Sequence, residues 1–222
     1  MENKKTKKIA FLGQKGGIGK STYARTFAVV SSETKSIDWL KKDRKILLVD
    51  LNFQQRTVWK WYERRIDNEI ETKFDIKVAK SYKEVLPTIN NYDLVIFDLA
   101  GGTNSETLEI SQIVDLIVQP TSASIDDMEP AVEEFSFLEE KGIDNKKLIF
   151  CLHKLLSEAE DKKARNYLEN VDYKISDGHI LAKVSYSDAS SYGLAMSELQ
   201  NPLCKNLKEN AIYVMTKLLK RF

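Results

Sequence analysis

The chain contains a series of short apolar runs, most of which are continuous rather than alternating with polar residues. They cover residues 9–12, 46–49, 76–79, 94–97, 116–118, 148–152 and 180–184. Continuous runs of this length are typical of strands that are buried on both faces. The segments between them carry helical spacing, as in Met128, Val132, Phe135 and Leu138. Strands that alternate with helices form right-handed βαβ units, so we expect a three-layer α/β domain with a mostly parallel, twisted sheet.

The overall composition is that of a single soluble domain. No repeat and no Pro-, Gly- or Ser-rich linker divides the chain, so we expect one domain over residues 1–222. The apolar run after the basic start spans only residues 9–12, which is too short for a signal peptide, and no run is long enough to span a membrane. We therefore expect a cytoplasmic protein in which Cys151 and Cys204 are packing residues rather than a disulfide.

The first predicted strand leads directly into a glycine-rich segment that matches G-x-x-x-x-G-K-[ST]. Residues 13–22 read GQKGGIGKST and precede a helical run, which is the context of a phosphate-binding loop. Glycines let successive backbone N–H groups converge on an anion, and the following helix adds its positive end. We expect Lys20 to contact the β- and γ-phosphates of ATP and Ser21 to ligate Mg²⁺. The remaining predicted nucleotide contacts in this loop are Gly13, Lys15, Gly16, Gly17, Gly19 and Thr22.

Two aspartates end predicted strands that follow this loop. Asp50 closes the run at 46–49, and Asp98 closes the run at 94–97. An acid at such a position can hold Mg²⁺ directly or through water, so both are candidate metal ligands together with Ser21. The segment from Asp98 to Gly101 also has the D-x-x-G form in which the Gly101 N–H meets a γ-phosphate. The alternative role for either aspartate is to cap the turn that follows its strand.

The string KGGIGKST resembles the deviant Walker A motif of the ParA/MinD superfamily, in which the first lysine is the signature residue. The resemblance implies a P-loop NTPase fold, an ATP-driven sandwich dimer, and a role for Lys15 at the phosphates of the partner subunit. It extends to Trp59, Arg64 and the segment 186–193, which is similar to the Y-x-D-A-x-x-x-G stretch of small plasmid-partition ParA proteins.

One position departs from the family pattern. Family members commonly read V-D-x-D-P-Q after the second strand, whereas this chain has Asn52 for the second acid and Phe53 for the proline. The resemblance places position 52 beside the hydrolytic water. Asparagine can hydrogen-bond water but cannot accept its proton. With Lys15, Lys20 and Asp50 as the other catalytic candidates, we expect an ATPase with weak turnover.

The resemblance to the small partition ParA proteins also implies a target for the predicted ATPase. They bind DNA without sequence preference and work with a separate site-specific DNA-binding protein, so we expect a nucleoid-associated, dimeric ATPase that moves DNA cargo. The net charge of +1 gives no support for nucleic-acid binding by itself. The last 22 residues are locally basic, however, and the candidate DNA contacts are Lys205, Lys208, Lys217, Lys220 and Arg221.

Two other functions compete with DNA positioning. A MinD-like membrane cycle would use Ile212, Met215, Leu219 and Phe222 as the apolar side of a basic amphipathic anchor, although a core-packed final helix has the same pattern. A metabolic or metal-related relative, such as a ligase-type synthetase, an iron–sulfur assembly ATPase or a metal pump, shares the same loop. The chain has no CxxC pair, which argues against the iron–sulfur branch.

Overall fold

The computed structural model describes residues 5–35, 37, 39–40 and 43–222, so the first four residues of the basic start lie outside the described residues. Within the described part of the chain, one sheet has the strand order β3-β2-β4-β1-β5-β6-β7, and every pairing in it is parallel. The strands are β1 Lys7–Phe11, β2 Ile46–Asp50, β3 Asp75–Val78, β4 Leu94–Asp98, β5 Leu116–Thr121, β6 Leu148–Leu155 and β7 Lys174–Leu181. The predicted parallel α/β sheet is confirmed.

Helices cover both faces of this sheet and create two cores. They are α1 Lys20–Glu33, α2 Thr57–Asp67, α3 Ser105–Ile113, α4 Ile125–Glu140, α5 Glu158–Glu169, α6 Val184–Ser191 and α7 Lys205–Leu219. Strand β1 contributes Ile9 and Phe11 to the core that contains α1 and α7, whereas Ala10 faces the core that contains α4. The inner strands β2, β4, β1, β5 and β6 are therefore buried on both faces, which explains why their sequences read as continuous apolar runs.

The last predicted strand was placed too late in the sequence. The expected run was 180–184, but β7 spans Lys174–Leu181 and Val184 already begins α6. Strand β7 lies at the edge of the sheet, where only Ser176 and Ile180 are fully buried along a mostly polar segment. An edge strand with polar residues gives no continuous apolar run, so the hydrophobic pattern could not mark its start.

The segment 186–193 contacts both α7 and α2. The Tyr186 hydroxyl donates to the Leu207 carbonyl at 2.7 Å, and Arg64 Nε donates to the Ser190 carbonyl at 3.1 Å. Gly193 has φ +80°, and a Cβ added there would lie 2.6 Å from the Arg65 backbone nitrogen. The contacts of this sequence motif, including those of Arg64, are therefore packing contacts between helices in the single chain.

The final helix α7 packs into the core along its apolar side. Met215 and Leu219 are fully buried, and the Phe222 ring lies 5.0 Å from the ring of Trp39. Two of the four residues of the suggested membrane anchor are thus already covered by the domain, in agreement with the core-packed alternative. Among the described residues, no helix combines the length and the apolar character needed to cross a membrane.

We expect Gly193→Ala to lower the free energy of unfolding by about 2–4 kcal/mol, because the new Cβ meets backbone atoms that cannot move aside. Gly142→Ala is the matched control, since Gly142 also has positive φ (+86°) but no atom in the described part of the chain lies within 4 Å of its added Cβ. That variant should lose only about 1 kcal/mol. Urea unfolding of both variants measures the difference, and equal losses would show that the contact with α2 is unimportant.

Candidate functional site

The glycine-rich loop connects the carboxyl end of β1 to the first residue of α1. Gly17 and Gly19 have φ of +77° and +107°, values that favour glycine. A Cβ on Gly19 would lie 2.6 Å from the His153 ring, and a Cβ on Gly101 would lie 3.0 Å from the Gln14 carbonyl oxygen. The loop therefore lies so close to β6 and to the loop after β4 that a side chain at Gly19 or Gly101 would clash with these neighbours.

The loop forms one wall of a cleft of about 570 Å³ at the carboxyl ends of the strands. Its size is that of a small-molecule site, and its place matches the position where ligands bind to open parallel sheets. Most of the predicted site residues line this cleft: Gly16, Gly17, Gly19, Lys20, Ser21, Thr22, Asn52 and Gly101. Gly13, Lys15, Asp50 and Asp98 are not among its lining residues.

Lys20 is buried inside the loop, with only 8% of its surface exposed. Its ammonium group donates to the carbonyls of Gly13 and Lys15, both at 2.9 Å. Burial lowers the pKa of Lys20, while the nearby carboxylates of Asp98 and Glu134 act in the opposite direction. A cation held in this way among backbone groups is suited to a phosphate, because the anion would supply the counter-charge that solvent cannot.

Lys15 points away from the centre of the loop within the single chain. Its ammonium group donates to the Asp126 carbonyl and pairs with Asp127 Oδ1 at 3.0 Å, at the first turn of α4. The Lys15 side chain is 44% exposed, so it lies at the rim of the site. Reaching a partner subunit, the role that the resemblance implies for Lys15, would require the side chain to leave Asp127.

Asp98 is a fully buried carboxylate without a regular hydrogen bond. Neither of its oxygens has a partner with full hydrogen-bond geometry among the described residues, although the Ser21 hydroxyl lies close enough to favour the ionised form. Burial raises the pKa of Asp98 to about 7, an effect that the Ser21 hydroxyl and the charges of Arg25 and Lys20 only partly offset. Buried acids normally have partners, and an unpaired one beside a serine hydroxyl fits the ligand set of a Mg²⁺ ion.

Asp50 has a different environment, although it is the register partner of Asp98 on the neighbouring strand. Its Oδ2 accepts from the backbone nitrogens of Val58 (2.9 Å) and Trp59 (3.2 Å), and its Oδ1 accepts from that of Asn52 at 3.0 Å. Asp50 thus caps the start of α2, the alternative role considered from the sequence. Its role as a metal ligand stays a prediction. A metal ion would have to compete with these three hydrogen bonds for the carboxylate oxygens of Asp50.

Asn52 shapes the turn after β2 and lines the cleft. Its side chain donates to Gln55 Oε1 at 3.0 Å and accepts from the Gln55 backbone nitrogen at 3.2 Å. Phe53, which stands where the family has proline, lies between Arg56 and Lys80, at 4.6 and 5.0 Å from its ring centre. The turn therefore presents an amide rather than a carboxylate to the cleft at position 52.

Two residues near the carboxyl end of β6 belong to the site, although neither was assigned a contact from the sequence. Lys154 Nζ donates to the Gly17 carbonyl at 2.8 Å and lines the cleft. His153 packs edge-on against Tyr23 at 5.3 Å, and burial lowers the pKa of His153 to about 3, so its ring is neutral. The sequence does contain a signal for them, because this polar pair directly follows the apolar run 148–152. Residues at the carboxyl end of a parallel strand lie where ligands bind.

Glu134 was also missed, since it stands in the acidic stretch 126–144, which has the composition of a solvated helix face. It is 1% exposed and accepts hydrogen bonds from Thr103 Oγ1 at 2.7 Å and Gln119 Nε2 at 2.8 Å. Helical periodicity gives no reason to single it out among its acidic neighbours. Only the packing of α4 behind the loop brings this carboxylate to the site.

Known structures share this architecture over nearly the whole chain. A ParA family ATPase from Chlorobium tepidum has a TM-score of 0.66 at 15% identity, over 96% of this chain and 99% of that chain. An ATP complex of McdA from Cyanothece has a TM-score of 0.71 at 15% identity, over 96% of both chains. A Mg-ADP complex of the septum site-determining protein MinD from Pyrococcus horikoshii has a TM-score of 0.69 at 14% identity, over 96% of both chains.

No protein-family model and no curated protein sequence matches the chain. At identities of 14–15%, the structural similarity shows the fold. The expectation that followed from the resemblance is confirmed at that level: the chain has the three-layer P-loop fold of the ParA/MinD-type ATPases.

We expect Asp98→Asn to raise the free energy of unfolding of the ligand-free protein by about 1–3 kcal/mol at pH 8, because it removes a buried, unpaired charge. The folded pKa of about 7 lies above the ordinary value of 3.8, so the carboxylate lowers stability as the pH rises through this range. The gain should therefore shrink towards pH 5, which urea unfolding at the two pH values would test.

Asp50→Asn is the matched control, because the Asp50 carboxylate accepts three backbone N–H groups. This variant should lose stability rather than gain it, since an amide offers fewer acceptor sites to these donors. If Asp98→Asn also lost stability at pH 8, the Asp98 carboxylate would have to be well paired in the folded protein.

Proposed function

We propose that the protein is an ATP-dependent, dimerising switch ATPase that binds DNA without sequence preference and positions or partitions DNA cargo. The observation that carries the proposal is the joint placement of Lys20 and Asp98. A buried cation in a glycine loop lies beside a buried, unpaired carboxylate, and this pair matches the needs of a Mg²⁺–triphosphate. The McdA and MinD structures that share the fold contain ATP and Mg-ADP.

The residues present fit a nucleotide and its metal. Lys20 and the N–H groups of the loop would hold the phosphates, and Ser21 with Asp98 would hold Mg²⁺, which neutralises the charge that develops on the phosphates. Gly101 borders the cleft where a γ-phosphate would meet the loop after β4. Asn52 would orient the attacking water without taking its proton, so we propose slow hydrolysis that serves as a timer.

The proposed dimerisation is supported by the place of Lys15. Its ammonium group is half-exposed and tied to α4 by Asp127, close to a cleft that opens towards solvent. A second subunit facing this cleft would bring the triphosphate of one chain towards Lys15 of the other. An ATP-bound dimer would then gain a charge-assisted contact in exchange for the bond between Lys15 and Asp127.

We expect Lys15→Ala to bind ATP as a monomer but to weaken the ATP-bound dimer at least about tenfold, because a contact across the interface is lost. Asp127→Asn is the matched control: it keeps Lys15 and weakens only the bond that holds it within its own chain, so the dimer should persist. Light scattering with a slowly hydrolysed ATP analogue distinguishes the two. A Lys15→Ala dimer as stable as wild type would contradict this role.

The basic residues of α7 do not form one cluster. Lys205 and Lys217 are twelve positions apart on the same helix, which separates them by about 18 Å. Lys217 is also paired with Asp177 at 2.8 Å. Lys205 and Lys208 lie at the start of α7, near the start of α6, since Cys204 Sγ donates to Ser185 Oγ at 3.3 Å.

Lys183 extends the basic group at the start of α7. It is exposed directly before α6, at the carboxyl end of β7 and hence on the side of the sheet that holds the cleft. We propose that Lys183, Lys205 and Lys208 form the DNA-binding surface, which two subunits would present together. A separate site-specific DNA-binding protein and a nucleoid location in the cytoplasm belong to the same proposal. The burial of Met215 and Leu219 in the core disfavours the membrane alternative.

We expect the ATP-bound protein to bind unrelated duplex sequences with similar affinity, and the nucleotide-free protein to bind them weakly. Replacing both Lys205 and Lys208 with Glu should weaken binding uniformly and reduce the slope of log K against log salt by about 2–4, because phosphate contacts are lost from both subunits. Filter binding at several salt concentrations measures both effects.

The matched control reverses the charge of Lys220 and Arg221 at the far end of α7. This variant changes the net charge by the same amount and should keep most of the affinity. Equal losses in the two variants would contradict the assigned surface, and no ATP-dependent DNA binding at low salt would reject the DNA function in favour of a metabolic one.

A further inference from the structure

Glu134 is a buried carboxylate that the proposed chemistry does not use. It lies in the third turn of α4 with 1% of its surface exposed. Removing a charge from water is unfavourable unless partners replace the solvent. Burial accordingly raises the pKa of Glu134, while hydrogen bonds and the charge of Lys20 act in the opposite direction. Its partners therefore indicate what the carboxylate holds in place.

These partners come from separate parts of the nucleotide site. The Thr103 hydroxyl donates to Oε1 at 2.7 Å, and Gln119 Nε2 donates to Oε2 at 2.8 Å. Gln119 lies behind the phosphate loop, since a Cβ on Gly13 would be 3.6 Å from its Nε2. The backbone N–H of Gln14 also favours the ionised form of Glu134. Oε1 thus faces the loop after β4, and Oε2 faces Gln119, the side chain that packs behind the phosphate loop.

Thr103 belongs to the segment that would sense a γ-phosphate. We call residues 99–104 the switch loop; it follows Asp98, includes Gly101 and ends at Asn104, which caps α3. Gly101 approaches the Gln14 carbonyl so closely that an added Cβ would lie 3.0 Å from that oxygen. The switch loop therefore rests on the phosphate loop through Gly101 and on α4 through Thr103.

The same helix also holds Lys15. The first turn of α4 binds this lysine through Asp126 and Asp127, and its third turn binds the switch loop through Glu134. One helix that contacts both elements gives a physical connection between the γ-phosphate position and the lysine at the proposed dimer surface.

We propose that Glu134 is a positioning residue that fixes the switch loop against the phosphate loop through Thr103 and thereby lets the site distinguish ATP from ADP. This inference rests on the proposed nucleotide function. When the loop is held, its backbone N–H at Gly101 is in place before the γ-phosphate arrives, so binding ATP does not have to order the loop. ADP has no group at that position and gains nothing from the bond between Thr103 and Glu134.

The primary variant is Thr103→Val, which keeps the shape of the side chain and removes the hydroxyl donor. With Mg²⁺ present, Kd for a slowly hydrolysed ATP analogue should rise about tenfold, as expected for the loss of a hydrogen bond to a charged group. Kd for ADP should stay within about twofold. Thr103→Ser retains the hydroxyl and should restore the wild-type ratio of the two constants.

Glu134→Gln tests the other side of the same bond. Its amide oxygen must accept from Gln119, which turns its NH₂ group towards Thr103, so a weaker neutral hydrogen bond in which Thr103 accepts replaces the charge-assisted one. Combined with Thr103→Val, it should weaken analogue binding little more than the larger single change, because both variants act on the same interaction. Glu139→Gln on the same helix, where Glu139 contacts Asn145 and Tyr173, is the control that leaves both constants unchanged.

Three results would decide the matter. A selective rise in Kd for the analogue with non-additive variants supports the inference. If Thr103→Val changes both constants equally or neither of them, or if the two variants add fully, Glu134 has only a packing role and the inference fails while nucleotide binding stands. If the wild-type protein binds neither nucleotide, the proposed function itself fails. Urea unfolding of each variant identifies losses that come from the fold alone.

Discussion

The site depends on buried charges that the protein leaves incompletely paired at the carboxyl end of β1. Lys20 relies on two backbone carbonyls, and Asp98 has no regular hydrogen bond within the described residues. Burial shifts the pKa of each towards its neutral form. Such an arrangement lowers the stability of the empty domain, and a bound cation and anion would remove the deficit. The rest of the domain supplies the packing that holds these groups in place.

The glycines at the site are needed for close packing as well as for ligand binding. Gly19 leaves no room for a side chain beside His153, and Gly101 leaves none beside the Gln14 carbonyl. The neutral His153 ring and the Lys154 ammonium group then close the loop from the β6 side. The phosphate loop is thus fixed by residues at the ends of β4 and β6 as well as by its own turn, because the carboxyl ends of these parallel strands lie at the same edge of the sheet.

Helix α4 changes how the acidic stretch of the sequence is interpreted. Its acids look alike along the chain, yet Asp127 pairs with Lys15, Glu134 enters the site and Glu139 contacts Tyr173. The basic residues of α7 show the reverse case, because a group that looks continuous in sequence is divided between the two ends of a helix. In both cases the direction of each side chain decides its partner, and a helix distributes neighbours in sequence around its whole circumference.

The sequence alone determined the parallel α/β fold, the phosphate loop and the acids that end β2 and β4. These features are local: strands buried on both faces read as apolar runs, and the loop needs its glycines and its lysine at fixed spacing. Tertiary structure decided the rest. It separated Asp98, which has no regular partner, from Asp50, which caps α2, although both end neighbouring strands. It also placed Glu134 and Lys154 at the site and gave Gly193 a packing role, because these contacts join residues that lie far apart in the chain.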